Sequence, residues 1–249
     1  MAENWNDLDE RSRMYWSWRA EDFSQLRMQE YRSPARSELL NLIRQSMPEQ
    51  EGPVRALDAG CGAGLFSMLL KEAGCTVTAV DFSLKMLEKA EANCRENGFT
   101  DILFREMDIR QLQLETGSFD YVLSRNVIWT VQHADEAYRE MYRVLRPGGI
   151  LMNLDANYGA AFLESDRKGI PPSHPTQTPE QLRLRNQIAS EMEVSFLERP
   201  AWDFALLWEC GAEEIRCIRN IGVQEEKGGE KDRDRRRAAE MFAVIARKA

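Results

Sequence analysis

The chain has 249 residues, about the size of one large α/β domain or of a smaller domain with a sizeable insertion, and far too long for a disulfide-stapled mini-domain. Its 43% hydrophobic and 30% charged residues, with 15 Gly and 9 Pro, give enough apolar material for a core and exclude a disordered or collagen-like chain. Acidic residues outnumber basic ones 41 to 33, so the net charge of −8 sets the field of the whole protein against nucleic acid and anionic lipid.

From about Asp9 to Tyr31 the chain is polar and aromatic, with Tyr15, Trp16, Trp18, Phe23, Leu26 and Met28 among charges and no strand alternation, which predicts a helix. Ser33-Pro34 breaks it, and Leu39, Leu40, Leu42, Ile43 and Met47 predict a second amphipathic helix ending at Pro48. After EQEGP the pattern changes. VRALDAG, TVTAVD, DILFREMD, FDYVLSR and GILMNLDAN are short apolar runs alternating with helical stretches such as Leu65 to Ala73 and Ser83 to Asn97. That alternation predicts right-handed βαβ units and a parallel sheet covered on both faces, an α/β fold.

Tyr158 to Trp208 is expected to be an insertion, proline-rich at its start and helical from Glu180 to Leu197, lying over the working edge of the sheet. Two more strands are expected, Glu213 to Arg219 and Glu240 to Ala246, joined by a solvated loop from Glu225 to Arg237 whose mixed charges sum to +1. The expected organisation is a helical lid over residues 1–50 and a domain over 51–249 carrying that insertion. No run approaches the roughly 18 apolar residues of a membrane span, and MAENWNDLDERSR lacks the basic-then-apolar order of a secretory signal. A cytoplasmic protein with no nucleic-acid or membrane partner is the expectation. The five cysteines, Cys61, Cys75, Cys94, Cys210 and Cys217, form no C-x-x-C pair and have no nearby histidine, so neither disulfides nor a metal site is expected.

LDAGCGAG, Leu57 to Gly64, follows the first strand and opens a helix, so Gly60, Gly62 and Gly64 permit a tight turn and close approach of backbone to a ligand. The spacing is neither G-x-G-x-x-G nor a phosphate loop, and Asp58 stands just ahead of the first glycine. A carboxylate there repels a pyrophosphate and suits an ammonium or sulfonium. TVTAVDFS then sets Asp81 at the end of the second strand, beside the first, where it can accept hydrogen bonds from both hydroxyls of a ribose; an acid at a helix N-terminus is the alternative.

In order and spacing, Val54 to Ile150 resembles the class I S-adenosylmethionine-dependent methyltransferases, in the small-molecule branch that includes ubiquinone-biosynthesis-like enzymes. LDAGCGAG is similar to the glycine-rich first motif, AVDFS to the ribose-binding acid, REMDIRQL to the third strand, FDYVLSRN to the fourth, and RVLRPGG to the turn before the fifth. The resemblance implies a Rossmann-like sheet of seven strands with the last antiparallel, and S-adenosyl-L-methionine as cofactor. It implies Asp58, Ala59, Gly60, Cys61, Gly62 and Gly64 at the methionine end, Asp81, Phe82 and Met86 with Asp108 and Ile109 around the adenosine, and Ser124, Arg125 and Asn126 beneath the reacting sulfur. Trp18 and Phe23 are expected to close over the cofactor, where an aromatic face favours a sulfonium by roughly 0.5 to 2 kcal/mol.

The acceptor, a small molecule, is expected between the ends of strands four and five and the insertion, beside Trp129, Asp155, Asn157, Tyr158 and Trp202. Asn126, Tyr158 and His174, in the proline-rich lid, are the catalytic candidates, while His133 is expected to cap a helix or lie on the surface. Asn126 is followed by Val127, Ile128 and Trp129 rather than by Pro-Pro-Tyr, and no Pro-Cys ends strand four, which argues against base methylation in DNA. Transfer of another group from the same cofactor, methylation of a protein, and a non-catalytic cofactor-binding protein are the alternatives. The sequence leaves the acceptor and the oligomeric state open.

Overall fold

A computed structural model of the chain describes residues 7–169, 177–221 and 240–249. His174 and the loop from Glu225 to Arg237 lie outside the described residues. Helix α1, Leu8–Tyr31, starts at Asp7, whose side chain accepts the Asp9 N–H at 2.9 Å, and Asp9 and Glu10 complement its dipole. Its buried face mixes Leu8, Tyr15, Ala20, Met28 and Tyr31 with Ser12, Arg19 and Ser24, which is why no clean apolar stripe shows in the sequence. Pro34 fixes the entry to α2, Ala35–Ser46.

The sheet holds β1 Arg55–Ala59, β2 Thr76–Asp81, β3 Leu103–Glu106, β4 Phe119–Arg125, β5 Leu145–Asp155, β6 Ala212–Arg219 and β7 Phe242–Lys248. Their order is β3-β2-β1-β4-β5-β7-β6; β1 to β5 run parallel, and β7 is antiparallel to both β5 and β6. The seven-stranded, mostly parallel sheet expected from the sequence is therefore present, and the RPGG turn is absorbed into the first part of a long β5. Alternate residues of each strand feed opposite cores. Leu57, Val122, Leu151 and Val244 face one layer, whereas Ala56, Tyr121, Met152 and Ala243 face the other.

Helices α3, Leu65–Glu72, and α4, Leu84–Glu96, follow β1 and β2, and α5, Ala134–Val144, follows β4. After β5 come α6, Tyr158–Arg167, α7, Pro179–Glu191, and α8, Ala201–Glu209. The expected insertion ran through Trp208, but Leu206 and Leu207 of α8 are buried in the core formed by α5 and β7. Helix α8 thus packs on the sheet before β6, and α6, α7 and the 3-10 turn Glu193–Phe196 lie between β5 and it.

Asp155 closes β5 inside this layer. Arg199, 1% exposed, donates through Nη1 to Asp155 Oδ2 at 3.0 Å and through Nη2 to Asp203 Oδ1 at 2.7 Å. Asp203 also accepts the Tyr138 hydroxyl, and Asn153 Nδ2 donates to the Tyr138 oxygen at 2.7 Å. Asp155, expected beside the acceptor, is instead fully buried and does not line the cleft: a carboxylate with no solvent access needs an internal cation, and Arg199 supplies it.

Candidate functional site

The strand order reverses between β1 and β4, and in open α/β sheets the crevice beyond the strand ends at that point is where ligands bind. A cleft of about 930 Å³ opens there, walled by the β1 to α3 loop, the ends of β2, β3 and β4, and α1 across the top. Of the residues expected around a cofactor, Phe23, Asp58, Gly60, Cys61, Gly62, Asp81, Phe82, Met86, Asp108, Ile109, Arg125 and Asn126 line it. Ala59, Gly64, Ser124 and Trp18 do not.

The three glycines are required for different reasons. Gly60 has φ +78°, and a methyl group there would overlap Val127. At Gly62, φ +51°, it would come within 3.3 Å of Phe23 on α1. At Gly64, φ +85°, an added methyl would come within 3.1 Å of Ala90 Cα and Cys94 Sγ, so this glycine lets α3 approach α4, and it does not line the cleft. The Gly60 and Cys61 N–H groups both donate to Val80 O at 2.9 Å, pinning the loop to β2.

Asp81 accepts the Gly62 N–H through Oδ2 and the Ser83 N–H through Oδ1, each at 2.9 Å. Asp81 also lines the cleft, and a carboxylate has about four lone-pair sites in all, so these bonds do not exhaust its capacity to accept. Burial pushes its carboxyl up to about 6 against these backbone bonds. Asp58 accepts Ser67 Oγ at 2.6 Å; burial pushes it up to about 7, Ser67 opposing and the Asp81 charge adding to the rise. Asp108 lines the cleft, but its carboxylate is held by Arg110, which also reaches Asp9 at 2.7 Å. Burial would raise Asp108, and the hydrogen bonds from Arg110 outweigh it and lower it.

Trp18 requires a correction. It is 46% exposed, and Trp16 lines the cleft instead, edge-on to Phe23 with centroids 5.4 Å apart. At 100° per residue the two tryptophans point to nearly opposite sides of α1. The cleft face of α1 is Asp9, Ser12, Trp16, Phe23 and Arg27, a helical spacing that was available in the sequence and that identifies Arg27 as well.

Asn126 adopts φ +57°, its N–H donates to Leu154 O at 2.8 Å, and its side-chain Oδ1 is buried without a hydrogen-bond partner at the cleft wall. Trp129 is buried, with rings of Trp16, Tyr158 and Phe162 between 5.3 and 5.9 Å from its own and with no partner for Nε1. Tyr158 and Trp129 are not among the residues that line the cleft; the Trp129 ring joins Tyr158 to Trp16, which does line it. Asn157 Nδ2 donates to Arg199 O at 3.4 Å. Trp202 is not brought to this site: it stacks edge-on to Tyr138 and lines a separate surface depression with His133, which is exposed and caps no helix N–H through its side chain. Among the described residues no group of His, Cys, Asp and Glu could hold a metal ion, and no helix is long and apolar enough to cross a membrane.

Residues 57–153 match the family described as methyltransferase domain. Over 97 residues the chain is 37% identical to a malonyl-[acyl-carrier protein] O-methyltransferase of Enterobacter lignolyticus, covering 39% of this chain and 37% of the relative. It is 39% identical over 100 residues to a ubiquinone biosynthesis O-methyltransferase of a Caulobacter species, covering 40% and 39%. The chain thus matches less than half the length of these relatives. Among solved structures, a phosphoethanolamine N-methyltransferase of Haemonchus contortus, determined with phosphomonomethylethanolamine and S-adenosylhomocysteine, superposes with a TM-score of 0.59 at 19% identity. That superposition covers 85% of this chain and 52% of the other, and shows a common fold. Residues 57–153, which carry the match to a methyltransferase domain, supply β1 to β5 and most of the cleft lining.

Proposed function

We propose that the protein transfers a methyl group from S-adenosyl-L-methionine to a small-molecule acceptor. The observation that carries this is the pair of buried carboxylates, Asp58 and Asp81, on the cleft at the point where strand order reverses. Two acids suit a ligand with ribose hydroxyls and cationic ammonium and sulfonium centres, and oppose a pyrophosphate. Asp81 binds the ribose hydroxyls, Asp58 and the Gly60 to Gly62 loop hold the methionine end, and Phe82, Met86, Met107 and Ile109 enclose the adenine. Trp16 and Phe23 cover the sulfonium. The negative net charge favours a small molecule over RNA, and a cytoplasmic location fits the reduced-type cysteine usage.

Methyl transfer asks the protein for in-line geometry and exclusion of water, and orientation alone contributes about 7 to 11 kcal/mol. Asn126, with its unpartnered Oδ1, and Tyr158, at the start of α6, stand at the ends of β4 and β5 and orient the acceptor. The test is a mass increase of one methyl group on an acceptor incubated with S-adenosylmethionine. With that acceptor, Asn126→Ala and Tyr158→Phe should lower single-turnover rate on the order of 10- to 1000-fold while leaving cofactor affinity nearly unchanged. Unchanged turnover in both variants removes these residues from the site.

A further inference from the structure

The acidic half of the cleft has a basic counterpart that the cofactor does not call for. Arg27 on α1 and Arg125 at the end of β4 line the cleft together and share one carboxylate, Glu30. Arg27 Nη1 lies 2.9 Å from Glu30 Oε2; Arg125 donates to Oε2 at 3.1 Å and to Oε1 at 2.6 Å. The two guanidinium groups rest on the rings of Phe23 and Phe66, 4.9 and 5.2 Å from the centroids, and each Nε is buried with no hydrogen-bond partner. The adjacent Arg19 guanidinium is paired with the Asp22 carboxylate. Two cations against one carboxylate leave an excess positive charge, and the Arg27 and Arg125 side chains are only 15% and 11% exposed.

That excess is adverse where a sulfonium must sit, unless an anion arrives with the other reactant. The location agrees. Arg125 ends β4, and Arg27 and Glu30 reach it from the C-terminal part of α1, so the cluster lies at the end of β4, with Arg125 over Phe66 in the first turn of α3. The cofactor's own carboxylate has another place open to it: the first turn of α3, where Leu65 and Phe66 border the cleft and a helix N-terminus favours an anion.

We propose that the acceptor carries an oxyanion, a carboxylate or a phosphate, away from the atom that is methylated, and that Arg27 and Arg125 receive it with Glu30 as the internal stand-in. Arg125, expected from the sequence beneath the sulfur, is thereby assigned to the acceptor. The planar forks of two guanidiniums match the oxygens of either anion, and docking it fixes the far end of the acceptor so that its nucleophile meets the methyl. The inference rests on the methyl-transfer reading.

The test titrates inorganic phosphate and acetate into the protein saturated with S-adenosylhomocysteine, at constant ionic strength, by calorimetry and thermal shift. The wild type should bind at least one of them saturably. Arg125→Gln should weaken that binding about tenfold or more, and Arg125→Lys, which keeps the charge and loses the fork, by several-fold. Affinity for S-adenosylhomocysteine without added anion should change by less than about threefold. Glu30→Gln should tighten the anion by removing its competitor, an outcome that loss of a merely structural ion pair would not produce. Absence of saturable anion binding by the wild-type complex overturns the inference. So does a tenfold loss of S-adenosylhomocysteine affinity in Arg125→Gln, which gives the cluster to the cofactor's carboxylate. Failure of the wild type to bind S-adenosylhomocysteine at all is a separate result that overturns the methyl-transfer reading.

Discussion

Asp81 holds the Gly62 and Ser83 backbone in place and also lines the cleft, where we propose that it meets the ribose. Two charge-assisted bonds to ribose hydroxyls contribute roughly 1.5 to 3 kcal/mol each, less the gain from hydrating the free site. Asp81→Ala should therefore weaken S-adenosylhomocysteine binding about 10- to 100-fold in a protein that still folds, as read by calorimetry beside a melting curve; unchanged affinity would assign Asp81 to the helix terminus alone. Burial raises both Asp58 and Asp81, to about 7 and about 6. A carboxyl whose folded pKa is raised contributes stability below its unfolded pKa, and that contribution is lost as pH climbs through the folded value. Melting temperature of the free protein should fall from about pH 5 to about pH 8, less steeply in Asp58→Asn. Cofactor affinity should rise over the same interval, because ribose hydroxyls and a sulfonium bind the ionised acids. A flat titration of affinity would show that neither acid meets the ligand.

Among the elements, α1 decides most about the site. It is tied across the cleft at several points: Asp9 to Arg110, Ser12 Oγ to Thr130 O at 3.3 Å, Ser17 to Ser83 at 3.0 Å, Glu21 to Lys89, and Glu30 to Arg125. None of these individually is strong at a partly exposed position, yet they fix which face of the helix looks inward. Trp16→Ala should lower S-adenosylhomocysteine affinity by about tenfold and reduce the melting temperature, since it removes a ring shared by Tyr15, Phe23 and Trp129. Trp18→Ala should change stability by no more than about 0.5 kcal/mol and leave affinity alone. The reverse ranking in paired calorimetry would place α1 in the wrong rotation.

For the whole molecule, ligand selectivity is the sharpest expectation. A cleft lined by Asp58 and Asp81 should be stabilised by S-adenosylmethionine and S-adenosylhomocysteine, with a shift approaching 2.7 kcal/mol at a concentration of about a hundred times Kd, and not by NADH. Equal stabilisation by NADH in a thermal-shift series, or none by S-adenosylhomocysteine, would contradict the proposed cofactor. The fold supports this selectivity by bringing together residues from β1, β2 and β4 that are separated by many tens of positions, a consequence of the reversal in strand order.

The parallel sheet, its strands and the glycine loop were legible in the chain because each rests on local signals: apolar runs of strand length, helical spacing between them, and glycines where φ is positive. Asp58 and Asp81 were legible for the same reason, standing next to turns that the local pattern defines. The C-terminal hairpin was visible as two strand candidates, β6 and β7. What the sequence did not decide were choices made by contacts between distant segments. The rotation of α1 depends on polar anchors rather than an apolar stripe, so Trp16 and Arg27 face the cleft and Trp18 does not. The assignment of α8 to the core, the withdrawal of Asp155 into the Arg199 pair and the removal of Trp202 to another surface follow from how the segment after β5 folds back. The meeting of Arg27 with Arg125 around Glu30 joins residues nearly a hundred positions apart. Local periodicity reports what a residue's neighbours in sequence allow, whereas the partner of a buried charge is chosen by the three-dimensional closure of the chain, where leaving that charge unpaired would cost several kcal/mol.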